Sequence, residues 1–399
     1  MTVPVLVTDA PSNANLAVVR SLGRRGIPVG VCGFPEEFNL SFHSRYAAAR
    51  HVLPSPTRDP SGFLLGLRDT LKAGRYPILL PTTERTLQLI SEHRDALPGS
   101  VALPIASHDA IETALDKRRT IALAERLGVP VPATWSPDTA AEAASLAPTL
   151  PYPVIVKPRQ TNVRGGDGRL RTAAFRIAES PAALALAWET VDAVAPRPLV
   201  QCVVPGQGAG IFALCDRGRP LVWFAHRRLR EEDPRGGRAV AAESVAPDAR
   251  MVEAAEALIR ALDWHGVVMV EFRRDADRDA FWLLEINGRF WGSLALALAA
   301  GVDFPYYLYQ LARGEEVRAP ATYRTHVVAR DAVGELKHFA RVMRGVTSPA
   351  GRTTSRWALA RQAATVLHPW KASYNWVADD PRPGRAEYVR FLARLVGAR

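Results

Sequence analysis

Two neighbouring apolar segments carry residues that could bind a metal ion. Residues 266–273 read GVVMVEFR and residues 283–293 read LLEINGRFWGS. Both segments are rich in β-branched and aromatic residues, and a stretch with several Asp and Arg residues joins them, so we predict a β-hairpin. Because side chains alternate along a strand, Glu285, Asn287 and Arg289 would project from one face of this hairpin.

Glu271 lies in the partner segment and would face Glu285 if the register of the strands is favourable. Two carboxylates and the carboxamide of Asn287 supply the hard oxygen ligands that Mg²⁺ prefers, with Mn²⁺ as an alternative ion. Arg289 would then stabilise charge on a transferred phosphoryl group. A salt-bridged face of an ordinary sheet is the other interpretation. We favour the metal site, because an unpaired charge within an apolar strand needs a compensating cation.

The hairpin resembles the ATP-grasp superfamily of ATP-dependent carboxylate ligases. Members carry a Glu on one strand and the pattern E-(I/V)-N-x-R on the next, here residues 285–289, and these residues hold the magnesium ions that bridge the phosphates of ATP. The continuation WGS at residues 291–293, with the later GVDFPYYLY, is similar to the subgroup related to the large chain of carbamoyl-phosphate synthase. The resemblance implies ATP and Mg²⁺ as cofactors, and Ser293 becomes a candidate substrate-binding residue.

The sequence and this resemblance predict an α/β protein with three parts. Residues 3–7 and 27–31 read as strands on either side of a helix, which predicts a βαβ unit and a parallel sheet. We assign residues 1–106 to a Rossmann-like domain, similar to the pre-ATP-grasp domain that often contributes to binding the second substrate. Residues 107–320 would form an ATP-grasp module of two α+β subdomains, and residues 321–399 a basic helical extension. The first turn lacks G-x-G-x-x-G, which argues against a dinucleotide there.

Length, composition and charge narrow the class of protein. The 399 residues, 48% apolar and 23% charged, are typical of a globular protein with two or three domains. No apolar run has the length of a membrane span, and the N-terminus does not resemble a signal peptide. Three widely spaced cysteines indicate neither a disulfide framework nor a zinc site, which favours the cytoplasm. Most of the net charge of +11 falls in residues 321–399, so the body carries no general footprint for nucleic acid.

Two lysines and a glycine-rich loop are candidate ligands for the phosphates of ATP. Lys117 opens a predicted helix after the N-cap Asp116, where its charge opposes the helix dipole unless an anion lies nearby. By the resemblance, Lys117 would contact the α- and β-phosphates, although a solvated surface lysine is the alternative. Lys157 ends the apolar strand PVIVK and by the same resemblance would contact the adenine and the α-phosphate. Gly165 and Gly166 in the next loop would expose backbone N–H groups to phosphate.

Residues 198–204 form a predicted strand that resembles the adenine-binding hinge of ATP-grasp proteins. There, backbone groups equivalent to those of Gln201, Cys202 and Val203 bond the edge of the base. The sequence departs from the family pattern, because Cys202 stands where a Glu is usual and Gly208 stands near the place of a ribose-binding Glu. We expect Cys202 to be a small buried hydrophobic residue and not a nucleophile, since it has no His or Lys beside it.

Three arginines follow the apolar segment at residues 221–225. Arg227, Arg228 and Arg230 precede a Gly-Gly loop, and arginine binds carboxylates and phosphates bidentately. A solvated basic turn is the alternative interpretation. We predict that Arg227 and Arg230 point inward and bind the substrate, with the register of the strand deciding which arginine does so.

The C-terminal part of the chain resembles no family. Amphipathic helices are predicted over residues 333–344, 356–367 and 386–396, and we expect them to dock onto the rest of the protein. Their Arg-rich faces, together with Trp357, Trp370 and Trp376, leave open a peripheral attachment to an anionic membrane or a partner.

The sequence therefore predicts an ADP-forming, ATP-dependent ligase that couples a small-molecule carboxylate to an amine through an acylphosphate. No Ser/His/Asp or Cys/His arrangement is evident, in agreement with a reaction that needs no protein nucleophile. Three alternatives are weighed against it: a biotin-carboxylase-like enzyme, although the chain has no A-M-K-M-like site; a non-catalytic nucleotide-binding sensor or scaffold; and a nicotinamide dehydrogenase. A homodimer is also left open.

Overall fold

The N-terminal domain is built on a parallel sheet in the computed structural model, which describes residues 2–349, 361 and 372–395. Its elements are β1 (Val5–Val7), α1 (Asn13–Arg24), β2 (Val29–Gly33), β3 (Ala47–Val52), α2 (Pro60–Ala73), β4 (Ile78–Leu80) and α3 (Glu84–Glu92). The strand order is β3-β2-β1-β4, with every pair parallel. The predicted βαβ start is confirmed. The edge strand β3 was not predicted, because its sequence AAARHV has little apolar character.

The next part of the chain forms a small sheet with its own helices. It comprises α4 (His108–Leu115), α5 (Lys117–Arg126), β5 (Thr134–Trp135), α6 (Ala140–Leu146), β6 (Val154–Lys157), β7 (Asn162–Arg164), β8 (Leu170–Thr172), β9 (Arg176–Ala178), α7 (Pro181–Asp192) and β10 (Leu199–Cys202). The small sheet has the order β5-β10-β6-β9, while β7 and β8 form a separate hairpin. Residues 173–175 separate β8 from β9.

A seven-stranded sheet occupies the rest of the molecule. Its sequence of elements is β11 (Gln207–Asp216), β12 (Arg219–Glu231), β13 (Ala239–Ser244), α8 (Ala249–Ala261), β14 (Gly266–Asp275), β15 (Ala280–Asn287), α9 (Leu294–Ala300), α10 (Phe304–Ala312), β16 (Val328–Arg330), α11 (Ala332–Met343), β17 (Ala372–Ser373) and α12 (Arg382–Leu395). The order is β15-β14-β11-β12-β13-β16-β17, so the predicted hairpin lies at one edge.

The C-terminal part of the chain docks onto the protein itself. Strands β16 and β17 extend the seven-stranded sheet, so this part is not purely helical. Arg20 of α1 donates to Asp380 at 2.9 Å, and both side chains are buried. The predicted helix at 356–367 lies outside the described residues, as do Trp357 and Trp370. None of the helices in the described part of the chain combines the length and apolar character needed to cross a bilayer.

Three apolar cores hold these parts together. Two of them each combine residues of the N-terminal domain with residues of the seven-stranded sheet. The third contains buried residues between Ala143 and Val200 and belongs to the small sheet and its helices. The small sheet is therefore packed as a unit of its own. Beside it lies a larger unit, in which the N-terminal domain and the seven-stranded sheet share two cores.

Candidate active site

The β14–β15 hairpin brings the two acidic residues together. The antiparallel register pairs Glu271 with Glu285 and Met269 with Asn287. The Asn287 amide donates to Glu285 Oε1 at 2.9 Å, and Arg289 donates to Asn287 Oδ1 at 2.9 Å. Like charges directly opposite each other on adjacent strands repel, so this arrangement requires cations nearby.

The surrounding cations act on the two carboxylates differently. Burial raises the pKa of Glu271, the Arg228 guanidinium opposes this rise, and the nearby Glu285 charge adds to it, with a net value of about 7. For Glu285, burial is outweighed by the Lys117 ammonium and by the hydrogen bond from Asn287, so its pKa is lowered. Lys117 Nζ lies 4.0 Å from Glu285 Oε2. Glu285 is thus held ionised, while an additional cation would stabilise the ionised form of Glu271.

Lys157 stands on the opposite side, at the end of β6 in the small sheet. Burial, and then the charge of Lys117, lower the pKa of its ammonium to about 8, while the charges of Glu285 and Glu271 act in the opposite direction. Lys117 itself follows the N-cap Asp116, whose side chain accepts from two backbone N–H groups of α5. The Lys117 ammonium also lies 3.5 Å from Thr161 Oγ1. Two cations at one wall form a favourable surface for an anionic ligand.

A cleft of about 410 Å³ joins these groups. It lies between the small sheet and the seven-stranded sheet, and its lining includes ten of the predicted or neighbouring residues: Lys117, Lys157, Cys202, Val203, Arg228, Glu271, Glu285, Asn287, Arg289 and Ser293. A cleft of this size is typical of a small-molecule site.

Three of the predicted nucleotide residues do not line this cleft. The side chain of Gln201 is buried and donates to Thr134 Oγ1 at 2.7 Å. Gly165 and Gly166 lie in the β7–β8 turn, where the Gly165 N–H donates to the Arg169 carbonyl. The glycines that do line the cleft are Gly292 and, in the β12–β13 loop, Gly236 and Gly237. The φ angles of Gly236 and Gly237 are 137° and 144°, which favour glycine.

The inward-pointing arginine is Arg228, and the choice of Arg227 and Arg230 was wrong. Arg227 pairs with Glu243 at 2.7 Å, and its side chain is half exposed. Arg230 pairs with Glu335 of α11 at 2.7 Å. Neither residue lines the cleft.

The reason is strand alternation. Phe224, His226 and Arg228 are all buried, so they share one phase of β12, and a bulge between Arg228 and Arg230 alters the phase beyond that point. Counting alternation from Phe224 would have selected Arg228. The bulge had no signal in the sequence.

Arg228 reaches Glu271 across β11, at a point where that strand has a glycine. Its guanidinium forms a very short ion pair with Glu271 and a 3.0 Å pair with Glu231. The intervening strand β11 has Gly208 beneath the arginine, and a Cβ atom there would lie 2.7 Å from the arginine Cδ. Gly208 was noted only as a missing ribose ligand; the structure gives it the separate role of leaving space for Arg228.

Ser293 forms part of a buried polar pair that the sequence did not reveal. Its hydroxyl lies 3.2 Å from His226 Nδ1, and its side chain does not cap α9. Burial, and then the charge of Arg228, lower the pKa of His226 to about 3, so this imidazole is neutral at physiological pH. A neutral histidine can donate or accept a hydrogen bond at the end of the cleft nearest Trp291.

The donor set fits a divalent ion that also binds phosphate. In the described part of the chain, no group of three or more His, Cys, Asp or Glu residues is arranged to hold a metal alone. Glu271, Glu285 and Asn287 supply oxygen atoms only, and such a partial set suits Mg²⁺, which usually keeps waters and substrate phosphates as its other ligands. The raised pKa of Glu271 agrees with this, because a cation would relieve the repulsion between the carboxylates.

Comparisons with known proteins agree with this geometry. A family model described as ATP-grasp in the biosynthetic pathway with Ter operon matches residues 195–333. A D-alanine–D-alanine ligase of Marinobacter nauticus is 26% identical over 325 residues, covering 76% of this chain and 94% of the relative. The family match contains both carboxylates and the inward-pointing arginine.

Three solved structures share the fold at low sequence identity. The ADP complex of PurK, an N5-carboxyaminoimidazole ribonucleotide synthetase, has a TM-score of 0.64 at 14% identity and covers 86% of this chain and 85% of its own. Biotin carboxylase of Campylobacter jejuni has a TM-score of 0.63 at 16% identity, with coverages of 82% and 74%. The L-amino acid ligase of Bacillus licheniformis has a TM-score of 0.59 at 17% identity, with coverages of 80% and 78%. These likenesses show that this chain has the fold of ATP-grasp proteins, and residues 195–333 match an ATP-grasp family model.

Proposed function

We propose that this protein is an ATP-dependent ligase that couples a small-molecule carboxylate to an amine and releases ADP and phosphate. The observation that carries the proposal is the convergence of two lysines and an acidic hairpin on one cleft. Lys117 and Lys157 offer cations at one wall, while Glu271 and Glu285 offer paired carboxylates at the other. The named activities of the relatives, D-alanine–D-alanine ligation and L-amino acid ligation, support a carboxylate and an amine as substrates.

The two walls of the cleft have separate roles in this proposal. Lys117 and Lys157 bind the phosphates of ATP through charge-assisted hydrogen bonds. Glu271, Glu285 and Asn287 hold Mg²⁺, for which Mn²⁺ is an alternative. A bound ion would neutralise phosphate charge, and the substrate carboxylate would attack the γ-phosphoryl group.

Arg289 and Arg228 supply positive charge around the reacting group. Arg289 is held by Asn287 Oδ1 and by the Phe290 carbonyl, each at 2.9 Å, so its guanidinium is fixed beside the acidic row. A fixed cation stabilises charge that develops on the phosphoryl group and on the acylphosphate. Arg228 forms an ion pair with Glu271 and opposes the effect of burial, which raises the pKa of that carboxylate. Its position in the same cleft also makes it a better candidate than Arg227 or Arg230 for contacting the carboxylate substrate.

The cysteines agree with a mechanism that uses no protein nucleophile. Burial raises the pKa of Cys32, Cys202 and Cys215, so all three thiols are protonated at neutral pH. The carboxylate of the substrate is then the group that attacks ATP, and the amine is the group that attacks the acylphosphate.

The adenine would bind at the end of β10. Cys202 and Val203 line the cleft there, opposite Leu284. The Cys202 N–H already donates to the Ala133 carbonyl at 2.9 Å. The contacts to the base edge proposed for Gln201, Cys202 and Val203 would therefore use the remaining backbone groups.

The proposal is tested by the products formed from ATP. Purified protein is incubated with Mg·ATP and a panel of carboxylic acids, with and without a panel of amines, and the nucleotides are separated. We expect ADP and phosphate to appear only with an appropriate acid, and the amine to increase the rate. Formation of AMP and pyrophosphate would contradict an acylphosphate. ADP release that depends on bicarbonate would instead favour the carboxylase alternative.

A further inference from the structure

Two buried ring nitrogens at one end of the cleft have no role in the mechanism proposed so far. His226 and Trp291 both line the cleft, and they are only 1% and 2% exposed. Among the residues that the structure describes, neither His226 Nε2 nor Trp291 Nε1 has a hydrogen-bond partner. An indole N–H can only donate, and a buried donor without a partner costs free energy. A ligand with hydrogen-bond acceptors would remove that cost.

Packing holds both rings in fixed positions. The imidazole of His226 and the indole of Trp291 lie against the Phe212 ring, with centroid distances of 4.6 Å and 4.2 Å. His226 Nδ1 also lies 3.2 Å from the Ser293 hydroxyl. Side chains fixed in this way lose little conformational entropy when a ligand binds, so their hydrogen bonds contribute more to affinity.

Strand register places His226 in the same row as the two acidic residues. Gly210 pairs with His226 on one side and with Glu271 on the other. Glu271 in turn pairs with Glu285. A Cβ atom at Gly210 would lie 3.2 Å from His226 Nε2, so the imidazole extends over this glycine in the direction of Glu271. The unpartnered nitrogen therefore lies on the face of the sheet that carries the proposed metal ligands.

The charges beside His226 favour a carboxylate over a phosphate as the ligand. Arg228 is the cation whose charge acts on His226, and it already pairs with Glu231 and Glu271. Its charge is thus compensated, and a phosphate dianion would need further cations. A carboxylate carries a single charge and has acceptors only. To bind it, His226 Nε2 must carry the proton, and Nδ1 must accept from the Ser293 hydroxyl.

On the basis of the proposed function, we propose that His226 Nε2 donates a hydrogen bond to the carboxylate of the acid substrate, with Trp291 Nε1 as a second donor. The acid would then lie beside Glu271. After phosphoryl transfer, the same N–H would stabilise charge on the acyl oxygen while the amine attacks. The C–N bond forms, the C–O bond to phosphate breaks, and hydrogenphosphate leaves with the proton of the amine. His226 keeps its own proton throughout.

The position of that proton tests the proposal without turnover. Protein containing isotope-labelled histidine is studied by NMR, and the signals that disappear in His226→Gln are assigned to His226. We expect a neutral ring with its proton on Nε2. Adding acetate, L-alanine or benzoate to the Mg·AMP-PNP complex should move the Nε2 signal for at least one acid, and inorganic phosphate should not. A proton on Nδ1, no shift with any acid, or an equal shift with phosphate would overturn the proposal.

Matched variants measure what the donor contributes. His226→Phe keeps a flat ring without the donor, so it should weaken binding of the acid that moves the signal by about tenfold or more, as expected for a lost hydrogen bond to a charged group. His226→Gln places an amide N–H near the position of Nε2 and should restore part of this affinity. Both variants should bind Mg·ADP like the wild type, as should His93→Gln, a control at a partly exposed histidine outside the cleft.

Two results with these variants would contradict the proposal: normal acid binding by His226→Phe, or no recovery of affinity in His226→Gln. If His226→Phe does not fold, the proton position in the wild type still decides.

Failure of this proposal is distinguishable from failure of the ligase proposal. Acid-dependent ADP release by the wild type tests the ligase, and it does not depend on which residue binds the acid. The NMR signal of His226 reports acid binding in the AMP-PNP complex, where no turnover occurs.

Discussion

The two sheets that bound the cleft are built differently. The seven-stranded sheet supplies Glu271, Glu285 and Arg228 from strands whose cores are shared with the N-terminal domain. The small sheet supplies Lys157 and the backbone around Cys202, and it is packed around a core of its own. One wall therefore belongs to the larger packed unit, and the other wall belongs to a unit with fewer buried side chains.

In the proposed reaction, the seven-stranded sheet carries the groups for catalysis and the small sheet carries those for nucleotide binding. The acidic row requires fixed geometry, because metal ligands and phosphoryl-transfer groups lose their effect when displaced by about 1 Å. The nucleotide wall requires charge and backbone contacts, which tolerate more variation. We expect substitutions on the seven-stranded sheet to reduce turnover or stability, and substitutions on the small sheet to reduce nucleotide affinity.

The largest effect is expected for Glu285→Gln. Loss of one charged ligand in the acidic row should lower kcat by about 1,000-fold, the usual effect of removing a group that stabilises the transition state, with little change in Tm. Steady-state ADP release measures it, and Glu253→Gln on the exposed face of α8 is the control. A variant that keeps more than a tenth of wild-type turnover would show that chemistry does not depend on this sheet.

Arg228→Gln should be the most destabilising of these substitutions. It leaves the Glu271 carboxylate buried without its partner, and such losses cost about 3 kcal/mol. Arg227→Gln is the matched control on the opposite face of β12, where the pair with Glu243 is partly exposed and contributes under about 1 kcal/mol. Urea unfolding of both variants tests this. Equal destabilisation would contradict the assignment of the two faces.

Because the pKa of Lys157 is lowered, we expect nucleotide affinity to depend on pH. A lysine with a lowered pKa is charged below that pKa and neutral above it, so this cation should be lost as the pH rises through about 8. Affinity for Mg·ADP should fall by up to about tenfold between pH 8 and pH 9. Lys157→Arg should remove this step, since arginine stays charged, whereas Lys72→Arg on an exposed helix should not. Fluorescence titrations at each pH measure the effect.

The smallest effect is expected at Cys202. Its raised pKa and its place in β10 indicate packing and backbone contacts, so Cys202→Ser should change the KM for ATP by less than about twofold, or under 0.5 kcal/mol. A large loss of turnover, together with ATP protecting the thiol from an alkylating reagent, would instead show that Cys202 takes part in the chemistry.

Local patterns in the sequence determined much of the fold and the acidic row. The β14–β15 hairpin follows from two apolar runs with side chains alternating between faces, and Glu285, Asn287 and Arg289 share a face because of that alternation. The helix boundary at Asp116 was readable because its side chain caps backbone N–H groups that would otherwise lack partners. These features depend on a few consecutive residues, and short stretches of sequence contain that information.

Tertiary structure decided which charges meet across distant strands. Arg228 faces Glu271 because β11 lies between their strands with glycine at the crossing point, and neither the pairing nor the bulge that displaces Arg230 is encoded in a short segment. The N-terminal domain packs against the seven-stranded sheet through two shared apolar cores. Contacts between residues far apart in the chain depend on the packing of whole layers, and the hydrophobic effect that drives this packing is not directional.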